Sequence, residues 1–185
     1  MRGDLQWEKY RKKALSDLMW FCGVVLNYGD LIPMREGPHR LLCRFVERRT
    51  GVPQIDNCAY RLVMMPRETG KTTIVSQGYT IQSLCRNRDT SIFLVNEKED
   101  NAKKFLGSIK AEFENNEFLR ELFPECIPDD FNKTVWSATE IKIKRDTNRK
   151  EPSVYVSGVG GAGASMHPDQ ILIDDMISVA AAMVV

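Results

Sequence analysis

Residues 63–75 read VMMPRETGKTTIV: an apolar run, a proline and an arginine, then Gly70, Lys71, Thr72 and Thr73, then apolar residues again. As one continuous core strand this stretch fails at Pro66 and Arg67, because proline cannot donate to a sheet ladder and a buried arginine is costly. A phosphate-binding turn accounts for the pattern. Such a turn needs backbone N–H groups aimed into one concavity, a glycine where the chain closes on the ligand, a lysine to reach the β- and γ-phosphates, and a hydroxyl for a magnesium ion. Gly70, Lys71 and Thr72 supply the last three, and Arg67 adds a positive charge inside the loop. The full G-x-x-x-x-G-K-[ST] pattern would place its first glycine at position 65, where this chain has Met65. A strand-to-helix turn with a solvated lysine is the plainer alternative.

The flanking patterns favour the phosphate loop. Before it, CAYRLVMM (58–65) is β-prone; after it, TTIVSQGYTIQSLCR (72–86) places Ile74, Gly78, Ile81 and Leu84 or Cys85 on one helical face. The alternation continues with an apolar strand over 90–96 and a helix over 97–116 whose stripe is Ala102, Phe105, Leu106, Ile109 and Phe113. Further strands are predicted in EIKIK (140–144), SVYVSG (153–158) and QILIDDMIS (170–178). Strands alternating with helices predict an α/β fold with a mostly parallel central sheet, helices on both faces, and ligands at the carboxyl ends of the strands. Ahead of this, apolar spacing from Leu5 to Leu26 predicts one amphipathic helix, and RLLCRFVERRT (40–50) predicts a second that stops at Gly51 and Pro53. The expected organisation is an N-terminal helical segment, 1–56, packed on a core, 57–185.

Composition narrows the function. The chain has 185 residues, 43% hydrophobic and 28% charged, with 26 basic against 25 acidic residues, so no global field marks nucleic acid or membrane as a partner. Any such binding must come from local patches. The five cysteines lack a C-x-x-C pair and read as core thiols of a reducing compartment. His39 and His167 are lone histidines without metal spacing, and Trp7, Trp20 and Trp136 read as packing residues. No signal peptide or membrane-spanning run is seen, and a cytoplasmic location is expected.

A second element tests the loop. ILIDDM (171–176) is an apolar run, Ile171, Leu172 and Ile173, expected to be buried, ending in two acids. In a phosphate-loop enzyme, Asp174 would be the metal-side carboxylate and Asp175 the group that orients the attacking water. Without the loop, the same acids would read as a solvated strand end.

These motifs together resemble the ATPase domain of the large terminase subunit of tailed bacteriophages. The resemblance is carried, over about 61–175, by PRETGKTT, NAKKFLGSIKAEFENNEFLRELFP, Trp136 in VWSATEIKIKR, EPSVYVSGVGG and SMHPDQILIDD. It implies a P-loop NTPase of the additional-strand (ASCE) class that hydrolyses ATP with Mg²⁺ to move double-stranded DNA into a procapsid. It also implies a homo-oligomeric ring on the portal protein, a small terminase subunit as partner, no membrane, and the host cell cytoplasm as location. Carried over by position, Pro66, Arg67, Glu68, Thr69, Gly70, Lys71, Thr72 and Thr73 form the nucleotide loop. Lys71, Arg67 and Asp175 would be catalytic, and Thr72 and Asp174 would hold the metal. Asp175 stands where many members have glutamate, one methylene longer. Members with an arginine before the HPD segment offer it to a neighbouring subunit; here that stretch is GGAGASMHPD, and Arg145 or Arg149 could substitute or be strand-end charges. The family's coupling motif and nuclease site are not in this sequence, which implies an N-terminal portion of a longer protein, with the core truncated at its C-terminus and the nuclease domain outside the chain. Two rivals remain: a helicase-like ATPase of the same class, and a nucleotide-binding docking module without turnover.

Overall fold

Ile92–Asn96 (β1) alternates buried and half-buried residues and occupies the interior of a four-stranded sheet. The computed structural model describes residues 2–30, 34–161 and 166–175. The other strands are Glu140–Ile141 (β2), Val154–Gly158 (β3) and Gln170–Asp174 (β4), in the order β2-β3-β1-β4. β3 and β4 both run parallel to β1, and β2 is antiparallel to β3, so the sheet is mixed. The parallel registers set Asn96 opposite Gly158 on one side and Asp174 on the other. Three carboxyl strand ends therefore lie side by side.

Side chains two apart on a strand share a face. Ile92, Leu94, Val154 and Val156 point into the core, where they join Ala102, Leu106, Ile109 and Phe113 of the helix Glu99–Asn115. The acidic first turn of that helix, Glu99 and Asp100, suits its positive dipole end. On the opposite face, Phe93 stacks on Tyr155 with ring centroids 4.5 Å apart, while Ile171 and Ile173 are 57% and 59% exposed, so of the run expected to be buried it is Leu172, on the core face, that packs. The prediction of helices on both faces is thus met on the Leu94 side; the Ile171 side is open among the described residues.

The N-terminal region departs from a single helix. Arg2–Ser16 (α1) is interrupted at Asp17, whose carboxylate accepts the Trp20 N–H at 3.0 Å and caps the short helix Leu18–Trp20 (α2). Aspartate competes for backbone donors in this way, and apolar periodicity does not report it. Burial works against the ionised Asp17 carboxyl, but hydrogen bonds from Lys13, the Trp20 amide and Arg40 hold it below the usual carboxylate range. The chain then widens into a π-helical turn, Phe21–Val25. The remaining helices are Pro38–Val46 (α3), Pro53–Asp56 (α4), Thr80–Arg86 (α5), Glu99–Asn115 (α6) and Glu117–Leu122 (α7). Before α5, the helix predicted over 72–86 is π-helical from Thr73 to Tyr79.

Two predicted strands also need correction. CAYRLVMM forms no ladder among the described residues: Tyr60, Leu62 and Met64 are 96%, 78% and 84% exposed, whereas Val63 and Met65 pack on the core. The alternation is that of a strand, but no described segment pairs with its backbone. EIKIK is a strand only at Glu140–Ile141, because the Ser153 hydroxyl accepts the Ile143 N–H at 3.1 Å and ends the ladder.

One continuous core draws Ala14, Leu18, Phe21, Leu42 and Cys43 together with Ile74, Ile81, Leu84 and Ile109. No described helix is long and apolar enough to cross a membrane. Gly78 lets two π-helical turns touch: a Cβ there would lie 2.4 Å from Cys22 Sγ. Gly78→Ala is expected to cost about 1–3 kcal/mol by overpacking, read as a lower urea midpoint. Cys22→Ala in the same chain should recover most of that loss, and Gly23→Ala, which meets nothing within 4 Å, should not show it.

Candidate functional site

The carboxyl end of β4 meets the start of the helix that follows the Gly70 turn. Lys71 Nζ lies 3.8 Å from Asp174 Oδ1 and 3.8 Å from Asp175 Oδ1. Neighbouring residues of a strand point to opposite faces, so one ammonium could not face both acids if the strand continued. The backbone resolves this at Asp175, where φ is 47° and the chain leaves β4 in the left-handed region.

The two acids differ in environment. The Asp174 side chain is 8% exposed and that of Asp175 is 78% exposed. Asp174 Oδ2 accepts the Ser76 hydroxyl at 3.2 Å, and its carbonyl accepts the Asn96 side-chain N–H at 2.9 Å. Asn96 Oδ1 in turn accepts the Lys98 amide at 3.0 Å, so the turn after β1 and the end of β4 are tied through one buried amide. Ser76 lies in the π-helical turn, within two helical turns of Lys71, on the side facing β4.

The loop is built from two left-handed residues, Glu68 at φ 61° and Gly70 at φ 72°. Thr69 Oγ1 donates to the Pro66 carbonyl at 2.8 Å, closing the turn, and the Gly70 carbonyl accepts the Ile74 amide at 2.9 Å, starting the helix. Of the residues singled out from sequence, Lys71, Asp174 and Asp175 come together. Pro66, Arg67 and Glu68 are exposed, and Arg67 and Glu68 form no ion pair with described residues. Thr69, Thr72 and Thr73 are half-buried beside the turn, and the Thr72 hydroxyl bonds to no described residue.

Two carboxylates against one ammonium leave a net negative charge, which suits a divalent cation beside a bound polyanion. Among the described residues no group of three or more His, Cys, Asp or Glu side chains could form a metal cage. Mg²⁺ does not require one, since it keeps several waters and binds through one or two carboxylates plus substrate phosphates. Oxygen donors from Thr72 and Asp174 fit that chemistry.

Arg145 and Arg149 lie at the other end of the sheet. Arg145 donates to the Thr90 carbonyl at 3.2 Å, and Arg149 bonds Asp169 and the His167 carbonyl, so both brace the amino ends of β1 and β4. Sequence reading missed Ser76, Asn96 and the role of His39, whose ring reaches the Thr69 carbonyl at 2.9 Å. None of the three carried a spacing signal: Ser76 stands five residues after Lys71, which α-helical periodicity puts off its face.

No family model matches this chain, and no curated protein and no solved structure matches it significantly. Ser76→Ala should cost about 1.5–3 kcal/mol in denaturant unfolding, the range for a hydrogen bond to a charged acceptor. In an Asp174→Asn background the cost should shrink by at least about 0.5 kcal/mol, as expected for coupled neighbours.

Proposed function

We propose that this protein is a P-loop ATPase of the additional-strand class and the motor domain of a viral terminase large subunit, hydrolysing ATP to drive double-stranded DNA into a procapsid. The observation that carries the reading is Lys71 at the head of a helix, 3.8 Å from each of two acids that end a parallel strand. The sequence motifs that resemble the terminase family favour it over others of this class.

In this reading the loop amides, Lys71 and Arg67 hold the triphosphate and stabilise the charge that spreads over the γ-phosphoryl oxygens as water attacks in line. Asp175 aligns that water, and ADP and inorganic phosphate leave. Mg²⁺, when bound through Thr72 and Asp174, supplies charge neutralisation at the β- and γ-phosphates. DNA is gripped mostly by its phosphate backbone, because a packaging motor must accept any sequence. A ring on the portal protein, with a small terminase subunit as partner, belongs to the same proposal.

One observation favours a second reading, a docking module that binds nucleotide without turnover. The shorter Asp175 side chain is drawn to Lys71 and is also largely exposed, which is a poor start for holding one water. ATP turnover with and without double-stranded DNA, in the native protein, Lys71→Ala and Asp175→Asn, separates the two. The motor reading expects Mg²⁺-dependent turnover that DNA stimulates and that each substitution lowers by about a hundredfold or more. Tight binding with no turnover in any of the three selects the docking module. Equal turnover in all three sinks the proposed site.

A further inference from the structure

We infer that His39 is a positioning residue of the phosphate loop, orienting the peptide between Thr69 and Gly70 from the N-terminal helical segment. His39 is buried at the start of α3, thirty residues before the carbonyl it reaches. Both ring nitrogens are used. Nδ1 accepts the Arg35 amide N–H at 2.7 Å, and a backbone amide can only donate, so the ring proton sits on Nε2. Nε2 then donates to the Thr69 carbonyl at 2.9 Å. The backbone at residue 35 thus selects the tautomer that grips the loop.

What that grip does follows from peptide geometry. In a trans peptide the C=O and the next N–H point in opposite directions. Pinning the Thr69 carbonyl to His39 therefore turns the Gly70 N–H away from α3, and that N–H meets no acceptor among the described residues. Thr69 is flanked by Glu68 and Gly70, both with positive φ. A left-handed conformation is unfavourable for glutamate and persists only when its surroundings hold it. Arg40 supplies the other half of the hold: it bonds both Asp17 oxygens at 2.8 and 2.9 Å and Glu36 at 2.9 Å, which fixes α3 against α2. Both nitrogens of a buried imidazole need partners; the Nδ1 partner is local, four residues back, but the Nε2 partner is the loop carbonyl thirty residues away.

That the freed Gly70 N–H serves a phosphate rests on the nucleotide reading above; the hold on the loop does not. The test uses His39→Ala and His39→Gln in the whole chain. A glutamine amide offers an acceptor oxygen and a donor NH₂ group, so it can replace both bonds of this tautomer. Amide hydrogen exchange of peptides covering 66–72 is measured without ligand, and affinity is measured for a fluorescent, non-hydrolysable ATP analogue with Mg²⁺. His39→Ala should speed loop exchange and weaken the analogue by about tenfold each, the worth of one hydrogen bond. His39→Gln should stay within about threefold of the native protein on both. If His39→Ala does not fold, His39→Met, which fills the volume without either bond, takes its place. Unchanged exchange in the alanine or methionine protein, or a glutamine protein that behaves like it, overturns the inference. Should Lys71→Ala bind the analogue as tightly as the native protein, or none of the proteins bind it, the nucleotide reading falls while the exchange result still decides the role of His39.

Discussion

A single ammonium group held against two consecutive carboxylates is the constraint around which this chain is arranged. The Asp174 side chain is 8% exposed, and its two oxygens face the Lys71 ammonium and the Ser76 hydroxyl, the kind of partners a buried carboxylate needs. The meeting of ammonium and carboxylates requires three things of the backbone. β4 must lie parallel to β1 in the observed register, the loop must close at Gly70 so that the helix begins at residue 71, and Asp175 must leave the strand in a left-handed conformation. The Asn96 and Ser76 hydrogen bonds serve the first of these by fixing β4 at its carboxyl end. At 3.8 Å the groups attract but do not form a close hydrogen bond.

Elements whose apolar pattern matches their burial were legible in the sequence. β1, β3 and α6 fall where the period of the apolar residues puts them, because each buries a face against the same core; β4 forms where expected, but of its apolar run Leu172 packs on the core while Ile171 and Ile173 are exposed. Features set by polar competition were not. Asp17 breaks a helix that apolar spacing would continue, and Ser153 ends a strand that EIKIK would continue. The π-helical turns at Phe21–Val25 and Thr73–Tyr79 keep a helical pattern while changing the winding, so periodicity cannot separate them from α-helix. CAYRLVMM has strand alternation, but a ladder needs a second backbone, and a single segment's pattern is silent about whether one is present.

The candidate site divides the same way. Gly70, Lys71 and the acid pair announce themselves because their chemistry is local to a short motif. Ser76, Asn96 and His39 act through contacts that span 98, 78 and 30 residues, and each is a residue type that is common in plain structural roles. Long-range polar contacts of this sort follow from the fold, so they become readable only after the register of β4 and the position of α3 are known.

The ties between the N-terminal helices and the loop bear on how the site could be controlled. Besides His39, Arg61 donates to the carbonyls of Phe45 and Val46 at the end of α3, and Gln82 donates to the Ala14 carbonyl of α1 at 2.7 Å. Arg86 adds the Leu15 carbonyl at 2.7 Å and an ion pair with Glu47. These bonds grip the segment leading into the loop, the loop itself and the helix leaving it. Helical ends have free carbonyls that need donors, and here the arginines and glutamine flanking the loop supply them. A shift of α1 or α3 would therefore have to break several buried or half-buried polar contacts or carry the loop with it. Because unsatisfied buried carbonyls are costly, the loop moving with the helices is the cheaper course. The helical segment is thus part of the scaffold that sets the geometry around Lys71, and not a cover laid over a site already complete.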